Sequence, residues 1–393
     1  QRERVRRGSN QQVFEQFSVQ TSGLGADWEK QLGDVHLLSY GFDFDHDDVD
    51  SMAVETDLDT LVETRASGPF APNARYDAFG AFVQDQITRF DPYALTLGLR
   101  ASYYDFAFDE VETGERLGEG FDALTASASV ARDLAEDVRM SATLAQGFQA
   151  PNLEDLANDG DFAGGTEVAN PDLDPARSVM AEVALEVYRD RWQGGLALFA
   201  TQIDDTLGRR LIDEGDPDST GDETYLRDNA GEVRLWGAEL RGERELFARD
   251  PAWTLDGTIA WVRGRQYDDT SDPSSGEAPL DGVEARRIPP LNGGLALRWR
   301  EAVEVGWLDE AALSMRWALR QEQLHPEDQS DPRIDPEGTP GWQLLDLDFG
   351  GPLAKGIRWG LGLHNVLDED YRVHGSGVDG PGRSLFLSLS AAF

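Results

Sequence analysis

The chain has 393 residues, and 74 Asp and Glu against 35 Lys and Arg set its formal net charge at −39. Gross electrostatics of that sign disfavour a polyanion such as DNA as a partner. The absence of cysteine excludes a disulfide framework and a thiolate metal site, and no run of about 18 apolar residues offers a transmembrane helix. Lys30 and Lys355 are the only lysines. Arginine retained amid dense carboxylate fits either a salt-adapted source or an acidic set of loops with a binding role; both stay open.

The chain opens on Gln1-Arg2-Glu3-Arg4, without Met and without an apolar leader, so the expectation is that the true amino terminus is missing. From there, period-two alternation recurs, as a strand requires when one face meets an apolar phase and the other meets water. About 15 strands are expected, at roughly 12–31, 35–50, 76–90, 93–108, 121–133, 138–149, 177–189, 192–206, 223–247, 252–267, 289–300, 309–323, 340–349, 356–366 and 383–393. In the fourth, Leu95, Leu97, Leu99, Ala101 and Tyr103 share one face, while Thr96, Gly98, Arg100 and Ser102 share the other. In the last, Leu385, Leu387, Leu389, Ala391 and Phe393 share a face. Residues 33–34, 91–92, 134–137 and 190–191 are tight connections. Residues 51–75, 109–120, 150–176, 207–222, 268–288, 324–339 and 367–382 are long, polar and rich in Gly, Pro and Asp.

Short turns on one rim and long loops on the other are the arrangement of an antiparallel transmembrane β-barrel. Trp192, Trp253, Trp261, Trp299, Trp342 and Trp359 fall near strand ends, as an aromatic girdle at lipid headgroups would. They would equally suit the core of a soluble β-sandwich, but no seam divides the chain into the two or more domains that this would need. An open sheet leaves two edges unpaired, which hydrocarbon does not tolerate, so the barrel is expected to be incomplete, with strands lost on the amino-terminal side.

Asp43-Phe44-Asp45-His46-Asp47-Asp48-Val49-Asp50 has the carboxylates of a calcium loop, but Asp48 and Val54 stand where that loop needs Gly and Glu. His36, His46, His325, His364 and His374 show no metal-ligand spacing. His364, Gly98, Gly360 and Gly362 fall on the inward parity of their strands. Nucleophile elbow, Walker loop and dinucleotide fingerprint are all missing, so no enzymatic activity, cofactor or metal is expected.

Four stretches together resemble TonB-dependent outer-membrane receptors. They are Gly80-Ala81-Phe82-Val83-Gln84-Asp85 followed by Leu97-Gly98-Leu99-Arg100; Gly147-Phe148-Gln149-Ala150-Pro151 with Asn170-Pro171-Asp172-Leu173; Asp228-Asn229-Ala230-Gly231 with Gly237-Ala238-Glu239-Leu240; and His364-Asn365-Val366-Leu367-Asp368 with the terminal strand. The resemblance implies a barrel of about 22 strands in the outer membrane of a Gram-negative bacterium, enclosing a plug that engages TonB. On that reading residues 1–393 are the carboxyl-terminal portion of one barrel domain, lacking the plug, the TonB box and the first strands. Phe393 would be read by the barrel assembly machinery. The function implied is active uptake of a scarce nutrient such as an iron-siderophore, haem or cobalamin-like complex. The second stretch resembles haem and haemoglobin receptors, yet no histidine lies between Pro151 and Asn170. External contacts to the ligand are expected from Phe148, Pro151, Phe162, Asn170, Tyr371 and His374; each could instead simply pack among the loops. The alternatives are a passive porin-like channel and an adhesin or purely structural barrel.

Overall fold

A computed structural model describes residues 2–7, 11–66, 70–109, 113–157, 160–162, 165–168, 170–213, 223–229, 231–247, 252–267, 282–301, 306–329, 331 and 333–392. Its main sheet holds 18 strands. Two short ones, Glu63–Ala66 and Val283–Glu284, are additions at the long-loop rim. The rest form one antiparallel meander in which each wall strand pairs with the next. Among the described residues no pairing joins the first strand to the last.

The outer face carries the apolar residues. Leu97 is 43% exposed, Leu387 76% and Leu389 69%. Exposure of leucines in register across neighbouring strands is the inverse of a soluble fold and is what a lipid-facing band demands. Side chains of the other parity are polar and cross-linked. Arg100 Nη2 donates to Asp43 Oδ2 at 2.8 Å, reaching across Gly80, where a Cβ would lie 1.9 Å from that nitrogen. A side chain there would have to displace that ion pair. At the short-turn rim Arg358 donates to both oxygens of Asp309, at 2.7 and 2.6 Å, tying the connection before Glu310–Ala318 to the penultimate strand.

The elements depart from expectation in three instructive places. Arg2–Arg7 is a wall strand paired from Arg2↔Phe17 to Arg7↔Gln12; with Val5 its only apolar residue, alternation could not reveal it. The single strand expected over 223–247 is two, Thr224–Asn229 and Glu232–Glu245. Gly231 has φ +80° between them, a left-handed turn that glycine adopts without steric cost. The strand expected from 289 begins at Asn292, since Pro289 and Pro290 have no N–H to donate to a ladder. Gln11–Leu32 and His36–Asp57 each run 22 residues, about twice what a tilted strand needs to cross hydrocarbon, so they project beyond it.

Candidate functional site at the long-loop rim

Two clusters organise the long loops, and they are built differently. The first joins the connection after Val138–Gln149 to that after Trp192–Asp204. Leu153–Ala157 forms a short helix whose start is closed reciprocally: Asp155 N donates to Asn152 Oδ1 and Asn152 N to Asp155 Oδ2, both at 3.1 Å. The helix delivers Leu156, with no exposed surface, onto Leu173, Phe106, Phe108 and Phe121. Phe106 stacks on Phe121 at 5.6 Å and Phe148 on Tyr104 at 5.7 Å. Above this core Gly160–Phe162, Gly165–Val168, Thr224–Asn229 and Leu207–Asp213 make a separate four-stranded sheet. Glu167, fully buried, accepts from Arg227 Nε at 2.6 Å, and Arg227 Nη1 lies 3.6 Å from Asp155 Oδ1.

The second cluster is made of charge. Arg286 and Arg287 follow Val283–Glu284, and Arg333 follows the 3-10 turn Pro326–Gln329. All three converge on Asp331: Arg333 donates through Nε and Nη2 at 2.8 Å each, Arg287 Nη2 at 3.1 Å and Arg286 Nη2 at 3.4 Å. The Asp331 side chain is 3% exposed while the guanidiniums are 35–47% exposed. Buried Asp328 accepts from the His325 backbone N–H at 2.9 Å and faces Arg286 Nε at 3.6 Å. Among the described residues three guanidiniums thus meet two carboxylates in a strongly acidic chain. The last long connection folds over them: Gly375 at φ +75° and Gly377 at φ +74° pass Arg287 and Arg333.

His374 on that connection shares a hydrogen bond with Thr339 Oγ1 through Nδ1 at 2.8 Å. Among the described residues its buried Nε2 has no partner. Burial pushes its pKa below the usual histidine value, Asp328 and Asp331 oppose the shift, and Arg287 adds to it. A cavity of about 410 Å³ opens beside it, lined by Pro290, Thr339, Trp342 and Arg372 among others. Tyr371 packs on Trp342 at 5.3 Å.

The residues expected to touch ligand are divided between these clusters. Pro151 is buried and its carbonyl accepts from Tyr76 Oη at 3.1 Å. Asn170 Nδ2 donates to the Arg227 carbonyl at 2.7 Å, so with Phe148 it is engaged in holding loops together. Phe162 ends a described strand, but its side chain lies outside the described residues, as does all of Phe393. Tyr371 and His374 stand at the charged cluster. Trp192, Trp253, Trp261, Trp299 and Trp359 have the outward parity of their strands, whereas Trp342 shares the parity of Asp346 and Asp348 and meets Tyr371 instead of lipid. Asp43 and Asp47 are engaged by Arg100 and Thr21, and among the described residues no group of His, Asp and Glu is arranged to hold a metal ion. Arg286, Arg287 and Arg333 escaped the sequence reading; the available signal was a doubled arginine between a long acidic loop and two prolines.

The sequence profile described as TonB dependent receptor-like, beta-barrel matches residues 2–366. The ferric enterobactin receptor PirA of Pseudomonas aeruginosa is 22% identical over 403 aligned positions, covering 97% of this chain and 48% of that protein. The chain therefore spans about half the length of the curated relative it matches. Among solved structures, the copper transporter OprC aligns with a TM-score of 0.75 at 18% identity, over 97% of this chain and 57% of that one. The ferric yersiniabactin uptake receptor FyuA of Yersinia pestis gives 0.72 at 14%, over 100% and 57%. The unliganded ferric citrate transporter FecA gives 0.70 at 14%, over 99% and 57%. At these identities the structural likeness is one of fold.

Proposed function

The chain belongs to the TonB dependent receptor-like β-barrel family, a family of the bacterial outer membrane, and from that premise we propose that it is the receptor wall of an active importer for an anionic metal chelate. Of the nutrients implied by the sequence, a ferric siderophore fits best. The observation that carries this reading is the convergence of Arg286, Arg287 and Arg333 at the long-loop rim of a chain whose net charge is −39. Guanidinium forks match carboxylate and phenolate oxygens in geometry and charge, and all three side chains are partly exposed at the rim where a ligand arrives. His374, held neutral by burial, adds a donor or acceptor of modest polarity beside them. The names of the relatives, which include ferric enterobactin and ferric citrate, support the same class. The wall supplies preorganised binding and no chemical step; a plug and TonB would supply the gate and the energy.

Glutamine at all three arginines in the intact receptor tests the reading. Loss of two or three charge-assisted hydrogen bonds is expected to weaken ferric-siderophore binding by about 100-fold, measured by fluorescence quenching, with the heat-shifted electrophoretic mobility of the barrel retained. Unchanged affinity would remove this cluster from the ligand path. Uptake that persists in cells lacking TonB would indicate the passive channel instead.

A further inference from the structure

A long depression lies away from the loop rim, on the outer face near the short turns. It has a volume of about 840 Å³ and is walled by Leu185, Leu196, Leu240, Ile259 and Leu295. Three strands in direct register floor it: Gly194 pairs with Gly242 and Gly242 with Gly257. The three have the outward parity of Trp192, Leu240 and Ile259, and a Cβ at Gly242 would meet nothing nearer than 3.9 Å. Neighbouring strands lie about 4.8 Å apart and residues rise about 3.4 Å. The dent is therefore about 10 Å wide, and about 14 Å long from the level of Trp192 to that of Leu196.

At its short-turn end the groove runs into a polar hollow, and Trp192 and Arg244 line both. Arg244 is directly opposite Trp192 on the outward parity, and Arg191 lines the hollow from the adjoining turn. Among the described residues neither Arg191 nor Arg244 has a side-chain hydrogen bond or ion pair, whereas Arg189 beside them is bound to Asp137. Asp190, Glu136 and Glu245 complete the hollow. Both signs of charge thus stand side by side at one end of an apolar groove.

We propose that this groove holds a diacyl phospholipid with a zwitterionic phosphate–ammonium headgroup, one acyl chain lying on the floor of Gly194, Gly242 and Gly257, the phosphate held by Arg191 and Arg244, and the ammonium by Asp190. Headgroup and chain match the hollow and the groove in the order in which a lipid of the turn-side leaflet presents them. A purely anionic headgroup is disfavoured by the carboxylates. Glycine is the residue that makes the dent: any larger side chain at Gly242 fills it from below.

The inference rests on the outer-membrane reading, and the test separates the two. The intact protein is extracted from outer membranes in mild detergent, exposed to equimolar phosphatidylethanolamine and phosphatidylglycerol of identical chains, and weighed by native mass spectrometry. The wild type is expected to retain one phosphatidylethanolamine. Gly242→Leu, and separately Arg191→Gln with Arg244→Gln, are expected to lower its occupancy about tenfold, with barrel mobility unshifted; Leu97→Phe, on the lipid face elsewhere, is expected to leave it unchanged. Equal occupancy across the variants, preference for phosphatidylglycerol, or a dimer that Gly242→Leu dissolves without lipid loss would each overturn the site while leaving the barrel intact. Absence of the protein from outer membranes would sink both readings.

Discussion

The two loop clusters solve one problem, holding long connections still above a barrel, by opposite physics. Around Leu156 the chain buries aromatic and aliphatic surface, and buried Glu167 is answered by a guanidinium at 2.6 Å. Around Asp331 the contacts are ionic, and three half-exposed arginines share a carboxylate. Burial of a Leu or Phe contributes about 1.5–3 kcal/mol without regard to direction. Half-exposed ion pairs contribute less and are screened by salt. The first cluster is accordingly the stiffer; the second keeps its charges where a ligand can compete for them.

The sharpest break of that contrast is Arg227→Leu, which strands buried Glu167 and is expected to cost about 3–5 kcal/mol of local stability, seen as lost hydrogen-exchange protection across 150–176 and 223–229. Next is Leu156→Ala, a cavity under the aromatic core, expected to cost about 2–5 kcal/mol in the same segments. Asp331→Asn in the charged cluster is expected to cost only about 1–2 kcal/mol, confined to 282–291 and 367–382, and to shrink further in high salt. A larger loss from Asp331→Asn than from Leu156→Ala would invert the comparison.

The smallest effect is a pH dependence. Burial holds the His374 pKa below its ordinary value, so the unfolded loop binds more protons than the folded one through that range. The stabilisation is complete above about pH 6.5 and is lost as pH falls toward the depressed value. Exchange protection of 367–382 should decline on acidification, and His374→Asn should flatten the profile. Rising protection at low pH would contradict the burial of this ring.

Much of the wall was legible because its signal is local. Leu385, Leu387 and Leu389 announce their face within five residues, and Gly33, Asp91 and Asp190 announce turns. What escaped depends on partners distant in sequence. Arg2–Arg7 is a strand because Gln11–Leu32 offers it an edge, not because its own residues alternate. Thr224–Asn229 belongs to the loop sheet through a parallel pairing with Gly165–Val168, which no pattern inside 223–247 encodes. Phe148 and Asn170 were visible as a motif, but the motif reports loop docking as readily as ligand contact. Arg287 and Arg333 meet through Asp331, 44 residues beyond the first.

The central claim is that alternate side chains of these strands face lipid while their neighbours face water. The chain contains no cysteine, so single cysteines can be placed without background at Leu95, Thr96, Leu97, Gly98 and Leu99 in the intact receptor and spin-labelled in bilayers. The account predicts high oxygen accessibility for labels replacing Leu95, Leu97 and Leu99, and high accessibility to a water-soluble nickel chelate for those replacing Thr96 and Gly98. Uniform access of the chelate to all five would contradict it.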